Sequence, residues 1–252
     1  MQILLANAKM MFPVDKVNMK PVTVPMFQPQ ADMLAMEMAR MDVDELAKQL
    51  DCSRHLAQEN WHRYQQFPLA ERMPAIMAYN GQAYKHLKAN TLSNKSLEFG
   101  QRHLWITCFL YGLLRPLDGV VPYRMERTVT LEATGDKPVN QFWRDKLTDV
   151  LIDSVRADDG TLIHLSTEEY EHLFDWKRII QELKVIKPLF FVKKNGELKT
   201  QAVWAKACRG AMTRMILEQR LTQVSHLCAF SYEGFKYNPI LGEEAFPHFV
   251  RE

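Results

Sequence analysis

The stretch LFFVKKNGELKTQAVW, residues 189–204, reads as a β-hairpin running into a helix. Asn195-Gly196 separates two strand-like runs, 189–194 and 197–204. Both central residues of so tight a turn take positive φ, which Asn and Gly tolerate. A long helix is predicted next, over about 206–220. Elsewhere, residues 2–6 and 161–165 are short apolar runs suited to buried strands. Residues 104–114 are almost continuously apolar, and Ile106, Cys108, Phe109 and Leu110 suit a buried strand. Residues 127–132 alternate as a second strand, and 226–230 read as a late one. Asp42 and Ser53 are good N-caps and divide 31–66 into helices at 31–40, 43–50 and 54–66. Further helices are predicted at 69–79, 82–88, 96–103 and 141–156, the last amphipathic with Trp143, Leu147, Val150 and Leu151 inward. Strands and helices intersperse without a regular period or internal repeat. This predicts a single α+β domain over residues 1–252, with a mixed central sheet and surrounding helices, not a doubly wound α/β fold.

The chain has 252 residues, 47% hydrophobic, with a formal net charge of +2. That composition excludes a disordered, collagen-like or disulfide-scaffold chain. No run approaches the roughly 18 apolar residues of a membrane span. MQILLANAKMMF has no basic region ahead of its apolar stretch and is read as a first strand, not a signal peptide. Cys52, Cys108, Cys208 and Cys228 have no metal-ligand spacing and suit reduced thiols in the cytoplasm.

The near-neutral charge conceals an uneven distribution. Residues 177–221 carry eleven basic and three acidic side chains, so they sum to +8 and the remainder to −6. In the predicted helix, Lys206, Arg209, Arg214 and Arg220 share one face at about 100° per residue, and Ala207, Ala211, Met212 and Met215 lie opposite. Such a face is either the solvated side of a surface helix or an anion-binding surface.

Leu110-Tyr-Gly-Leu-Leu-Arg-Pro-Leu-Asp118 is the most unusual segment. An Arg among apolar residues is costly to bury unpaired. Arg115 therefore either binds phosphate or carboxylate in a cleft or forms an internal ion pair with a carboxylate such as Asp118. Arg124 can join either arrangement. Lys9 follows the first strand, a position that serves ligands in some sheet proteins and is surface in most. Tyr79 and Tyr84 flank Gly81 and suit base stacking or core packing. The eight histidines form no zinc or iron spacing, so no metal or other cofactor is expected. P-loop, GxGxxG and GxSxG motifs are missing, and no catalytic constellation stands out.

Several of these pieces occur in an order that resembles one family. They are Lys9 after the first strand, Tyr79-x-Gly-x-x-Tyr84, the 110–118 segment, Pro122-Tyr-Arg124, Gln141-Phe-Trp143, Leu165-Ser-x-x-Glu-Tyr170 and Lys206-x-x-Arg-Gly-x-Met-x-Arg214. Together they resemble the YaaA family of bacterial peroxide stress proteins over essentially the whole chain. Ala6-Asn-Ala-Lys9 keeps the Ala-Lys of that family's usual Ser-Pro-Ala-Lys. The resemblance implies protection during peroxide stress by limiting unincorporated intracellular iron. It also implies DNA binding through a positively charged cleft and a helix-hairpin-helix-like element, here at about 43–66. The cleft would draw on Lys9, Tyr84, Tyr111, Arg115, Arg124, Lys206, Arg209 and Arg214. The expected partner is duplex or branched DNA with weak sequence preference, with a small anionic ligand as a further candidate. The alternative is an enzyme acting on a nucleotide, phosphate ester or modified base, with Lys9 as nucleophile or charge donor. Direct iron sequestration finds no carboxylate–histidine cluster to support it.

Overall fold

The computed structural model describes residues 1–17 and 19–252. Its strands are β1 (Gln2–Ala6), β2 (Met73–Pro74), β3 (Leu104–Cys108), β4 (Gly112–Leu114), β5 (Gly119–Val120), β6 (Thr161–Leu165), β7 (Lys184–Ile186), β8 (Leu189–Lys194), β9 (Glu197–Lys199), β10 (Ser231–Tyr232), β11 (Phe235–Glu243) and β12 (Phe246–Arg251). Its helices are α1 (Gln28–Arg40), α2 (Val43–Gln49), α3 (Arg54–Gln66), α4 (Ala75–Ala78), α5 (Gln82–Leu87), α6 (Asn94–His103), α7 (Val139–Arg156), α8 (Glu168–Glu171), α9 (Trp176–Glu182) and α10 (Ala202–Gln219). The fold is α+β with mixed sheets.

β1 is the centre of the first sheet, whose order is β4-β3-β1-β6-β7. It pairs parallel with β3 (Ile3 opposite Leu104) and with β6 (Leu5 opposite Leu165). Ile3, Leu4 and Leu5 are buried, as a parallel strand covered on both faces requires. The apolar run at 104–114 is two antiparallel strands, β3 and β4, where the sequence predicts one. The indole Nε1 of the buried Trp143 on α7 donates to Phe109 O at 2.7 Å. That carbonyl lies in the turn between the two strands.

Where the sequence predicts one central sheet, a second five-stranded sheet is present, in the order β10-β11-β12-β8-β9. The Asn195-Gly196 hairpin forms as expected, both residues at positive φ, although β9 is only three residues long. β8 pairs parallel with β12, and β12 antiparallel with β11. Pro239 and Pro247, which cannot donate to a ladder, hide β11 and β12 from a sequence reading. The late strand expected at 226–230 is part of a 3-10 turn, Val224–Ala229. The strand expected at 127–132 is also missing; Thr130 makes a single bridge, to Pro138. The helix expected at 69–79 shrinks to α4, because Pro74 holds Met73 extended.

α10 is the longest helix of the C-terminal third and packs across α5. At their crossing, a Cβ on Gly210 would lie 1.8 Å from Ala83 O. Only a residue without a side chain allows this approach. We expect Gly210→Ala to separate the two helices and cost about 3 kcal/mol. At this chain length that is a fall in Tm of about 6–12 °C by circular dichroism. An unchanged Tm would refute the tight crossing.

Candidate anion-binding site

The carboxyl ends of β1, β3 and β6 carry a dense polar network. Beyond β1, Asn7 N continues the ladder to Thr107 O at 3.0 Å. The Asn7 side-chain amide donates to Tyr123 Oη (3.2 Å), and its carbonyl accepts from the Tyr170 hydroxyl. Tyr84 Oη donates to Ala6 O at 3.1 Å, and the hydroxyls of Tyr79 and Tyr123 lie 2.9 Å apart. Burial pushes all four tyrosines well above their ordinary values, so they stay neutral. Gly81 explains the spacing of Tyr79 and Tyr84: a Cβ there would lie 2.6 Å from Ala8 Cβ. The two tyrosines thus grip the chain on either side of that close approach.

Against this network sits a charged trio. Lys9 Nζ donates to Glu126 Oε2 at 2.7 Å, and Arg124 Nη2 lies 2.7 Å from Glu126 Oε1. The Arg124–Glu126 contact is ionic and is not aligned as a hydrogen bond. Among the described residues, Arg124 Nε and Glu126 Oε1 are buried without a hydrogen-bond partner. Glu126 is 8% exposed, whereas the Lys9 side chain is 51% exposed. Two cations on one carboxylate leave a net positive charge, with one cation open to solvent. Tyr64 Oη on α3 fixes the trio by donating to Arg124 O at 2.5 Å. The turn between α2 and α3 is near: burial raises the Cys52 thiol, and Arg124 and Glu126 act on it in opposite senses.

The remaining residues singled out in the sequence divide. Lys206 is exposed and Arg209 is half-buried on α10, and neither has a carboxylate within 4 Å among the described residues. Burial lowers the affinity of Arg209 for its proton, and Glu168, just past β6, opposes this. Arg214 is committed elsewhere. Its Nη1 donates to Leu87 O and Lys88 O at 3.0 Å and to Thr91 Oγ1 at 2.7 Å, and Nη2 meets Glu218. It closes the carbonyl end of α5. Arg220 has left the helical face, as a left-handed C-cap.

Arg115 lies at the other end of the sheet. Its guanidinium stacks 3.2 Å from the Trp105 ring centroid and donates to Gln2 Oε1, Leu104 O and Ser154 Oγ. Gln2 and Asn7 are five residues apart on one strand, about 16 Å. Asp118 takes the backbone N–H of Arg115 at 2.7 Å, not the guanidinium. Burial lowers the Arg115 pKa to about 10. Tyr111 is fully buried, and its hydroxyl accepts from Val121 N at 3.4 Å. The 110–118 segment therefore builds the hairpin and the turn after it.

Glu126, Asn7, Tyr123 and Tyr170 belong to the site although they are not among the cleft residues expected from the sequence; Asn7, Tyr123 and Tyr170 stand within the quoted motifs without an assigned role. For Glu126 a signal existed: it stands two residues after Arg124, a spacing that puts both side chains on one side of an extended segment. The arrangement suits an oxyanion. Lys9 and Arg124 supply charge-assisted donors, and buried tyrosines hold their backbone. Among the described residues, no three His, Cys, Asp or Glu side chains gather as a metal-ligand set. No helix among them is long and apolar enough to cross a membrane.

The fold and site define an α+β protein with a cationic centre at the carboxyl ends of parallel strands. Residues 1–241 match the family described as "Peroxide stress protein YaaA", and the chain belongs to that family. A "UPF0246 protein" of Bacteroides thetaiotaomicron is 40% identical over 246 residues, covering 97% of this chain and 96% of its own. One from Porphyromonas gingivalis is 40% identical over 259 residues, covering both chains completely. One from Legionella pneumophila is 33% identical over 258 residues.

Beside the site, His164 is buried and its Nε2 lies 2.8 Å from Glu171, which also accepts from Lys187 at 2.9 Å. Burial lowers the His164 pKa, against the raising effect of Glu171. Burial alone would raise Glu171, but His164 and Lys187 bring it down to about 2. In both cases the unfolded chain binds more protons, so stability falls as pH falls. The His164 contribution is lost below its ordinary 6.5, and that of Glu171 from 4.5 down towards 2. Urea midpoints from pH 8 to 4 should therefore decline, and His164→Gln should flatten the decline between pH 7 and 5. An equal decline in that variant would remove His164 as a cause.

Proposed function

We propose that this chain protects cells under peroxide stress by binding DNA, and that it limits unincorporated iron. The observation that carries the DNA reading is the placement of cations. Lys9 and Arg124 converge on one buried carboxylate at the strand ends, and on α10 Lys206 and Arg209 have no carboxylate within 4 Å among the described residues. Phosphates along a duplex are the natural partner of such a surface, and counterion release would provide most of the affinity. The α2–α3 pair supplies the second element. Asp42 caps α2 through a capping box and Ser53 caps α3, which leaves the turn between them exposed at Asp51 and Ser53. Tyr64 of α3 bonds the Arg124 carbonyl, so a strand held by the helix pair would pass close to the trio.

Fluorescence anisotropy with labelled duplexes across a salt series tests this. Affinity should fall steeply with salt and depend little on sequence. Replacing Lys206 and Arg209 together by Ala should reduce the salt slope by about 2. Arg115→Ala should lower stability by about 2–3 kcal/mol through lost stacking and unpaired carbonyls, yet leave the slope unchanged. Salt-independent binding, or no binding at low salt, would sink the reading.

The iron claim has a separate readout. Whole-cell electron paramagnetic resonance of chelatable iron after peroxide should show more free iron in a deletion strain than in one complemented with this chain. The Lys206/Arg209 variant should restore the low level only in part. Equal signals with and without the chain would remove iron limitation from its function.

A further inference from the structure

The loop that carries Lys9 also forms the wall of a cavity. Phe12 N donates to Ala78 O and Asn80 N to Met10 O, both at 2.8 Å, so Met11 and Tyr79 pair in a short antiparallel bridge. Beside this bridge lies a cavity of about 680 Å³, within the range of small-molecule sites. Part of its lining is apolar: Phe12, Ile76, Met77, Leu92 and Leu97. Its polar part includes Lys85, Lys88, Asn80 and Asn90, with Lys16 at the edge. Among the described residues no carboxylate lines it. Lys85 and Lys88 are exposed and have no carboxylate within 4 Å among those residues; Lys16 lies 3.7 Å from Asp15.

The rim is also held in place. Lys88 ends α5 at φ 49°, a left-handed conformation unusual for a lysine. Arg214 fixes it there through its own carbonyl and that of Leu87. A rim ordered before ligand arrives spares the binding step that ordering cost.

We infer that this cavity binds a single nucleotide. The apolar wall takes the base or sugar, Lys85 and Lys88 take the phosphate, and the Asn80 and Asn90 amides offer donors and acceptors to a base edge. An aliphatic acid would match the wall and one lysine but leave the amides without a use. The nucleotide is either free or turned out of a DNA strand, and the second form rests on the DNA reading above. The reach allows it: Lys9 and Phe12 are three residues apart, at most about 11 Å. A base turned out beside the trio would enter here, at the unstacking cost that such extrusion carries.

The test is isothermal titration of the whole chain with each deoxynucleoside monophosphate, with the matching nucleosides and with pyrophosphate. At least one monophosphate should bind more tightly than its nucleoside and than pyrophosphate. Replacing Lys85 and Lys88 by Ala should weaken it about tenfold or more. Met77→Trp fills the cavity from a half-buried position and should abolish it. Asn80→Asp, which puts a carboxylate on the rim, should act likewise if the Trp variant does not fold. No binding at millimolar monophosphate, pyrophosphate binding as tightly, or full affinity in both Met77→Trp and Asn80→Asp would each overturn the inference. Anisotropy then separates the two sources. If Met77→Trp weakens a duplex with one unpaired nucleotide but not a fully paired one, the nucleotide belongs to the strand. If it weakens only monophosphate binding, the nucleotide is free. Failure of the wild-type chain to bind any duplex would refute the DNA reading and leave the monophosphate result standing.

Discussion

A carboxylate removed from water is tolerable only when opposite charge meets it. Glu126 imposes that constraint on this protein. A buried ion costs several kcal/mol to desolvate, so both its oxygens must face cations. Lys9 comes to one oxygen from the end of β1, and Arg124 comes to the other from its own loop. Those positions then dictate the rest. Asn7 is pinned by two tyrosines, the Arg124 carbonyl by Tyr64 of α3, and the Lys9 loop by its bridge to Tyr79. Elements from 1–12, 54–84 and 122–126 thereby meet at one point.

The Lys9–Phe12 loop serves two neighbouring regions. On one side its Lys pairs with Glu126 while staying half-exposed to solvent. On the other its Phe lines a cavity with an apolar wall and a lysine rim. A cationic surface and a half-open amphipathic cavity suit different parts of a nucleotide. On the proposed readings the first would attract the charged backbone with little regard to sequence, and the second would take a ring. A single binding mode that uses both is more specific than either alone.

Much of this was legible in the sequence. The Asn-Gly hairpin, the helices at 43–50, 54–66, 82–88 and 141–156 and the first strand carry strong local signals, and they form. Lys9, Tyr84, Arg124, Lys206 and Arg209 were readable as candidate cations and ring donors. The C-terminal strands were not, because Pro239 and Pro247 interrupt their pattern and their partner β8 is distant in sequence. Arg115 and Arg214 show the second limit. Charge and spacing mark an arginine as special but do not tell whether its guanidinium faces a ligand or the protein's own carbonyls. Arg115 stacks on Trp105 and Arg214 closes α5, and both partners are fixed only by tertiary packing.

The α5–α10 crossing has a mechanical consequence. Gly210 brings the two backbones into direct contact, and Arg214 ties the far end of α5 to the same face of α10. Two attachments, four residues apart on one helix, remove both sliding and rotation between the pair. The helix bearing Lys206 and Arg209 and the one bearing Lys85 therefore translate together as one stiff body. A hinge in this protein has to lie outside them, and any motion of α5 that shifts Lys85 on the cavity rim also carries the cationic face of α10 with it.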